Sequence, residues 1–452
     1  MNKWIYVIGA MCTLLLFGCD SFLDHKPDIK MTIPASLSDA DYLLDDYNTM
    51  NSGYPLLGEI GIDDYYVTKE IWENSAMDQR NTYTWTDEPY TDVGDWQRPY
   101  KTVYYANQVL QILDKLDRNI HTAAYNRNWG AAHFFRAFVF QLLTEIHCPA
   151  YIDAEASEEL GIPLRLEAGV DGVSVRASLE DTYRQIVLDF REAARFLPVI
   201  ENTRGRPSKS AAYAGLARSY LNMGDYKQAF LYADSCLQLN PDLMDYSSLD
   251  GSLGYPIPRF NVEVLFSATS SGMGIIGGTN ALVADGLYAS YDPHDLRKQM
   301  YFIPNTEVVN TYNFRGGYDQ NSVQMFMGIT TSEVYLIKAE AASRLGRQGE
   351  ARDLINILLQ SRWDKEVVYV PVLESDGEKL LRLILDERRK ELLFRGRRWA
   401  DLKRLNLENR FQTELTRIVG DRLYTLKAND PRYAVRLSET VVRVAEIPQN
   451  ER

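Results

Sequence analysis

The segment YAGLARSYLNMGDYKQAFLYADSCLQLNP, residues 213–241, has the pattern of two short helices joined by a tight turn. The small residues Ala217 and Ala229 stand where two antiparallel helices would approach closely. Gly224 lies in the expected turn, and Pro241 follows the second helix and ends it. This order is typical of a tetratricopeptide hairpin, a unit of about 34 residues. The segment therefore predicts a mostly α-helical fold built on helix hairpins.

A second hairpin of the same kind is predicted from Ser332 onward, with Gly346 and Gly349 marking its turn. About a hundred residues separate the two hairpins, whereas a regular solenoid stacks neighbouring repeats. We therefore expect both hairpins to pack within one larger helical body over residues 35–452. Its N-terminal part is expected at about 35–245 and its C-terminal part at about 246–452.

Apolar residues that recur every three or four positions predict further helices. Two such stripes run from Trp96 to Leu113 and from Phe134 to Leu143. A third helix is expected at 179–197, with Ser178 as its N-cap. The charged run at 386–391 has opposite signs at helical spacing and is expected to be the solvated face of another helix.

Two regions, residues 51–98 and 247–331, lack a helical period and are rich in aromatic residues. One strand is expected in them, from Val262 to Ala268. Long irregular loops on a rigid scaffold are usually functional or disordered, and the many aromatic residues argue against disorder. These two regions are therefore predicted to carry the functional site, on a body with few and short strands.

The N-terminus has the order of a secretory signal: Lys3, then an uncharged apolar run, then Gly18 and Cys19. The uncharged run of about sixteen residues is shorter than the roughly twenty that a spanning helix needs. Residues 1–18 are predicted to be a signal peptide and 19–34 a polar tether, with a short membrane anchor as the alternative. The letters LFGC at 16–19 resemble the bacterial lipobox, which implies lipidation of Cys19 and stable anchoring at a membrane surface.

The composition excludes some classes of protein. A formal net charge of −13 argues against a nucleic-acid binder, which has to neutralise phosphates. Of the four cysteines, Cys148 and Cys236 lie beyond the N-terminal segment, which is too few for a disulfide scaffold. Two buried free thiols are expected there, with one bridge as the alternative.

No catalytic, metal or cofactor site can be assembled from the sequence. The histidines show no zinc-binding spacing, and His147 beside Cys148 is expected in the core because neighbours on a helix point apart. The letters GMGIIG at 272–277 match the dinucleotide fingerprint, but Gly278 and Thr279 follow where a helix should begin, so a loop is expected. Acidic residues are numerous enough for a glycosidase pair, yet the sequence selects no two of them.

Short segments in a fixed order along the chain carry a family resemblance. They are CDSFLD (19–24), Trp96-x-x-x-Tyr100, FRAF (135–138), GIPL (161–164), SKSAAY (208–213), EVYLIKAEA (333–341), GRRWADL (396–402) and Ile447-Pro448. Together they resemble the SusD/RagB family of Bacteroidetes outer-membrane lipoproteins. The resemblance implies a SusD-like α-helical body without catalytic chemistry. It also implies a lid on a SusC-like TonB-dependent transporter, which captures oligosaccharides or, in some branches, peptides at the cell surface.

Sugar rings pack their C–H faces on aromatic side chains, and polar neighbours bind their hydroxyls. In the first loop region, Trp72, Tyr83 and Trp85 are the predicted platform, with Arg80 and Asn81 as hydrogen-bonding partners. A second set is predicted in the other region: Tyr291, Tyr312, Phe314 and Tyr318.

Trp96 and Trp399 lie on helical stripes and are expected in the core. Two functions remain as alternatives to a nutrient-binding lid: a lipid-anchored glycan hydrolase and a repeat scaffold that binds proteins alone.

Overall fold

The computed structural model describes residues 34–88, 90–119, 122–169, 172–321 and 323–452. The predicted signal peptide, Cys19 and nearly all of the tether lie outside the described residues. Within them, the helices are α1 (Leu37–Asp45), α2 (Tyr47–Met50), α3 (Leu57–Ile60), α4 (Lys69–Asn74), α5 (Met77–Tyr83), α6 (Gly94–Leu113), α7 (Thr122–His147), α8 (Leu179–Phe196), α9 (Lys209–Asn222), α10 (Tyr226–Leu239), α11 (Asp285–Ala289), α12 (Arg297–Tyr301), α13 (Thr331–Arg344), α14 (Gln348–Arg362), α15 (Gly377–Glu391), α16 (Arg398–Asn406) and α17 (Glu439–Ala445).

The strands of the same ranges are short and form antiparallel pairs, β1 with β5, β2 with β3, β4 with β8, β6 with β7, and β9 with β10. They are β1 (Tyr65–Tyr66), β2 (Leu160–Pro163), β3 (Arg176–Ser178), β4 (Val264–Phe266), β5 (Leu282–Val283), β6 (Phe302–Pro304), β7 (Tyr312–Phe314), β8 (Ile329–Thr330), β9 (Leu415–Val419) and β10 (Arg422–Leu426).

Both predicted helix hairpins are present. Helices α9 and α10 form the first, and Gly224 between them has a φ of +73°. Helices α13 and α14 form the second, with Gly346 at a φ of +77° in the turn. A left-handed backbone at a helix end favours glycine, which has no Cβ to clash. The predicted mostly α-helical fold is confirmed.

The two hairpins are neighbours in space although a long segment separates them in sequence. Helices α6 to α10 pack one against the next, and α10 and α9 then contact α13. On α9, Arg218 donates from Nη2 and Nε to the Glu333 carboxylate of α13, at 2.6 and 2.8 Å, and both side chains are buried. This ion pair joins the N-terminal hairpin to the C-terminal one.

The core centres on α7, a helix of 26 residues whose second half is buried. The Phe266 ring of β4 packs against Phe134 and Phe138 of α7, with centroid distances of 4.7 and 4.9 Å. The predicted strand at 262–268 is therefore present, although it spans 264–266 because Val262 is exposed and outside the pairing with β8. Through β4 the second loop region is fixed to the helical body.

The expectation that the charges at 386–391 form a solvated face is wrong. Glu387, Arg388, Lys390 and Glu391 are all buried. Burial alone would raise the pKa of Glu391, but the guanidinium of Arg362 lowers it to about 2. The partners Arg362 and Arg297 lie on other helices, so the local pattern of α15 does not contain them.

The expectations for the two cysteines and for His147 are confirmed. Cys148 and Cys236 are buried free thiols. His147 is buried, its Nδ1 lies 2.9 Å from the Val435 carbonyl oxygen, and burial lowers its pKa to about 4, so the ring is neutral at pH 7. Across the described ranges, no helix is both long enough and apolar enough to cross a membrane.

Candidate functional site

The two loop regions singled out in the sequence come together on one surface. Strand β1 of the first pairs with β5 of the second, with Tyr65 opposite Val283. The Asp95 carboxylate accepts a hydrogen bond from Ser271 Oγ at 2.9 Å. Further along, the backbone N–H of Ile275 donates to Gln79 Oε1, also at 2.9 Å. The loops are thus held to each other as well as to the helices.

A cleft of about 550 Å³ opens in the second loop region, between β6, β7 and residues 273–279, 317–321 and 324–326. We call it the loop cleft. Its aromatic lining is Tyr255, Phe314, Phe326 and Phe394. Its volume falls within the range of sites that enclose small ligands, roughly 300–1,000 Å³.

The walls of the loop cleft are fixed by the β6–β7 pair. Phe314 stands opposite Phe302 in this pair, and its ring packs on Phe394 with a centroid distance of 5.2 Å. The neighbouring Asn313 points its Nδ2 to the carbonyls of Thr279 and Ala281, at 3.1 and 2.8 Å. This amide ties the glycine-rich segment to β7, which gives the half-buried Phe314 ring a rigid setting.

The polar groups of the loop cleft are held in place by hydrogen bonds. Gln324 donates from Nε2 to Ser52 Oγ and to the Ser270 carbonyl, which orients its amide. Arg315 holds the carbonyls of Gly251, Leu253 and Gln299. Among the described residues that line the loop cleft there is no Asp, Glu or His. Glycoside hydrolysis ordinarily uses two carboxyl groups, and this lining offers none.

The residues predicted in the second loop region separate into two groups. Phe314 lines the loop cleft, while Tyr312, two residues earlier on β7, stacks on Tyr288 at a centroid distance of 3.7 Å. Tyr291 and Tyr318 are each 1% exposed, so the prediction that they offer ring faces to a ligand is not met. Their hydroxyls serve the core: Tyr291 donates to the Lys390 carbonyl and Tyr318 to Glu263, both at 2.8 Å.

The predicted platform in the first region is not an exposed platform. Tyr83 and Trp85 are 1% and 5% exposed. Together with Tyr65 they surround the guanidinium of Arg417 on β9, which lies 3.7 Å from the Tyr83 ring centroid and 5.0 Å from that of Trp85. A buried cation is stabilised by aromatic ring faces, and these rings pack on Arg417 in the interior rather than facing solvent. We call this group the Arg417 cage.

The other three predicted residues are not among the rings around Arg417. Trp72 is half-buried, its Nε1 donates to the Arg80 carbonyl at 3.2 Å, and the Arg80 guanidinium lies 5.4 Å from its ring centroid. Asn81 lines a separate small cavity of about 50 Å³ beside Trp85. Ligand contact by Trp72, Arg80 and Asn81 stays a prediction.

Two residues that line the loop cleft are not predicted from the sequence, the polar Gln324 and the aromatic Tyr255. Tyr255 stands in a Gly-Tyr-Pro sequence, a turn signal with an aromatic residue in it, and this could have marked it. Of the two tryptophans expected in the core, Trp399 is buried as predicted, at 3% exposure. Trp96 is half-buried and lines a different cleft.

Comparison with known proteins gives the same family over both halves of the chain. Residues 21–221 match a family model described as "Starch-binding associating with outer membrane", and residues 258–447 match one described as "SusD family". SusD-like protein P2 of Formosa agariphila is 24% identical in a match that covers 73% of this chain and 74% of that protein. SusD-like protein P38 of the same organism is 22% identical in a match that covers 90% of this chain and 92% of that protein.

Solved structures share the fold. A SusD superfamily protein from Bacteroides thetaiotaomicron superposes with a TM-score of 0.75 at 22% identity, over 92% of this chain and all of that one. A putative sugar binding protein from Bacteroides vulgatus has a TM-score of 0.74 at 20% identity, over 93% and 99%. At these identities the likeness establishes the common helical architecture and leaves the ligand open.

Proposed function

This chain belongs to the SusD family, and from that premise we propose that it captures oligosaccharides in the loop cleft without cleaving them. The observation that carries the proposal is the lining of the loop cleft. Tyr255 and Phe314 present aromatic rings for the C–H faces of sugars, and Gln324 places an oriented amide beside them. The absence of carboxyl groups from the described lining supports binding over hydrolysis.

The same proposal includes the place where the protein acts. A lipid on Cys19, in the lipobox-like sequence at 16–19, holds the body at the outer-membrane surface. There the protein serves as the lid of a SusC-like TonB-dependent transporter and delivers its ligand to it. The outer-membrane association in the matched family description supports this location. Residues 35–452 act as one body in this role.

Copurification tests the transporter part. The tagged protein is extracted from native outer membrane with a mild detergent, and its partners are identified by mass spectrometry. A TonB-dependent barrel in about equal amount is expected, and a Cys19→Ala control should lose it from the membrane fraction. Recovery of the lipidated protein without any barrel would contradict the lid role and leave the sugar-binding role standing.

Substitution of Phe314 tests the loop cleft. Phe314→Ala is expected to weaken oligosaccharide binding about tenfold, because it removes a stacking face worth about 1.4 kcal/mol. Isothermal titration with maltohexaose, cellohexaose and xylohexaose identifies a binder and measures the change. Tyr312→Ala is the matched control, since Tyr312 lies on the same strand but stacks on Tyr288. Equal affinity of the Phe314→Ala variant and the unchanged protein would remove the loop cleft as the site.

A further inference from the structure

A second cleft lies along α6, outside the loop regions. Its volume is about 600 Å³, and its floor is formed by Trp96, Tyr100 and Tyr104. One wall is formed by residues 163–169 and 172–174, from the end of β2 onward, and the other by the end of α17. We call it the helix cleft. It shares no lining residue with the loop cleft among the described residues.

The floor of the helix cleft is a ladder of aromatic rings. Trp96, Tyr100 and Tyr104 are four residues apart on one helix, which gives a rise of about 6 Å per step. The centroids of Trp96 and Tyr100 are 4.9 Å apart, and all three rings are half-buried. This step is comparable to the length of one pyranose unit in a linear glycan. Successive sugars can therefore each lie against one ring.

The ladder and its facing wall are held in place before any ligand binds. The Tyr100 hydroxyl donates to the Pro163 carbonyl at 2.7 Å. The buried Asn107 donates from Nδ2 to the carbonyls of Arg165 and Glu167, at 2.9 and 3.2 Å. A site fixed by its own hydrogen bonds loses little conformational freedom on binding. The helix cleft is thus preorganised.

The charges at the helix cleft select against an anionic ligand. Arg165 is the one basic residue among the described residues that line the helix cleft. Its Nη atoms donate hydrogen bonds to the Gly169 and Gly172 carbonyls. Glu167 and Glu446 are exposed at the rim, so the described lining carries two carboxylates against one guanidinium. Carboxylates accept hydrogen bonds from sugar hydroxyls and repel carboxylated or sulfated sugars.

Exposed apolar side chains complete the two walls. Val173 is 86% exposed on one side and Val444 is 75% exposed on the other. Exposed apolar surface in a concave place indicates a binding surface, and the C–H faces of sugars are suited to it.

We propose that the helix cleft is a second glycan-binding site, which takes a linear, neutral oligosaccharide along the Trp96–Tyr100–Tyr104 ladder. This site is independent of the loop cleft and goes beyond the function proposed above. Two such sites on one lid would hold a single glycan chain at two points, or two chains at once.

Fluorine NMR of protein labelled with 5-fluorotryptophan tests the proposal. The Trp96 resonance is assigned with a Trp96→Phe variant, and the described lining of the loop cleft contains no tryptophan, so this resonance reports on the helix cleft. The probes are maltohexaose and cellohexaose as neutral chains and hexagalacturonate as an anionic one. A saturable shift of the Trp96 resonance with a neutral chain, and none with hexagalacturonate, is the expected result.

Two variants separate this proposal from the one for the loop cleft. The glycan affinity obtained from the Trp96 shift is expected to fall at least tenfold in Tyr104→Ala and to stay unchanged in Phe314→Ala. No Trp96 shift with either neutral hexasaccharide would overturn the proposal. So would an equal shift with hexagalacturonate, or a response that Phe314→Ala abolishes and Tyr104→Ala preserves. The affinity measured at the loop cleft bears on none of these outcomes.

Discussion

The variant Arg362→Met is expected to have a free energy of unfolding about 3–5 kcal/mol below that of the unchanged protein. The Arg362 guanidinium is 1% exposed and donates to Glu391 Oε1 at 2.8 Å and to Glu263 Oε2 at 3.0 Å. Both carboxylates are fully buried, so methionine would leave them without their shared cation where water cannot solvate them. Urea denaturation followed by circular dichroism measures the loss.

The pH dependence of this loss identifies its cause. Glu391 keeps a second cation, since Arg297 Nη1 lies 3.2 Å from its Oε2, whereas Glu263 keeps hydrogen-bond donors such as the Tyr318 hydroxyl. In the unchanged protein the pKa of Glu391 is about 2, so the stability that it contributes persists until the pH falls below about 4. In the variant Glu391 has lost the main cation that lowers its pKa, so this carboxylate binds a proton at a higher pH. The difference in stability should therefore shrink as the pH falls from 7 to 4.

An exposed ion pair supplies the control for Arg362. Arg410 bridges Glu408 and Glu378, and its side chain is 43% exposed. Arg410→Met should change the free energy of unfolding by less than about 1 kcal/mol, because water already solvates these charges. If Arg362→Met were no more destabilising than Arg410→Met, the buried network would not be what holds α14 and α15 together.

The sequence predicts those parts of this protein whose cause is local. The α9–α10 hairpin follows from small residues and Gly224 within one short segment, and α8 follows from its stripe and the Ser178 cap, whose side chain accepts from the Asp181 N–H. The burial of the α15 charges is not predicted, because their partners Arg297 and Arg362 lie on other helices. Burial of such a run depends on partners that no local pattern contains.

At the candidate site, too, local features are predicted from the sequence and tertiary contacts are not. The sequence found both loop regions and Phe314, because loss of period and aromatic content are local signals. It could not separate ring faces that meet a ligand from those that meet the core. That choice is made by Arg417 of β9 and by Glu263 beside β4, which are far in sequence from the Tyr83 and Tyr318 rings that they contact.

Trp85→Ala is expected to lower the free energy of unfolding by about 3–5 kcal/mol, as large aromatic-to-alanine changes in a core do. The Trp85 indole is 5% exposed, its Nε1 donates to the Gly61 carbonyl at 2.9 Å, and its ring forms one wall of the Arg417 cage. Removing the indole leaves a cavity and takes one aromatic ring face away from the Arg417 guanidinium. Thermal and urea denaturation measure the change.

Ligand affinity should follow a different pattern from stability. Below its melting temperature the Trp85→Ala protein is expected to bind oligosaccharide as the unchanged protein does, because the ring faces Arg417 rather than solvent. Trp72→Ala is the matched control. Trp72 belongs to the same loop region, but it is half-buried and its ring lies beneath the Arg80 guanidinium, so its stability loss should be much smaller. A large loss of affinity in Trp85→Ala with little loss of stability would return Trp85 to the binding platform. It would also mean that the Arg417 cage opens when the ligand binds.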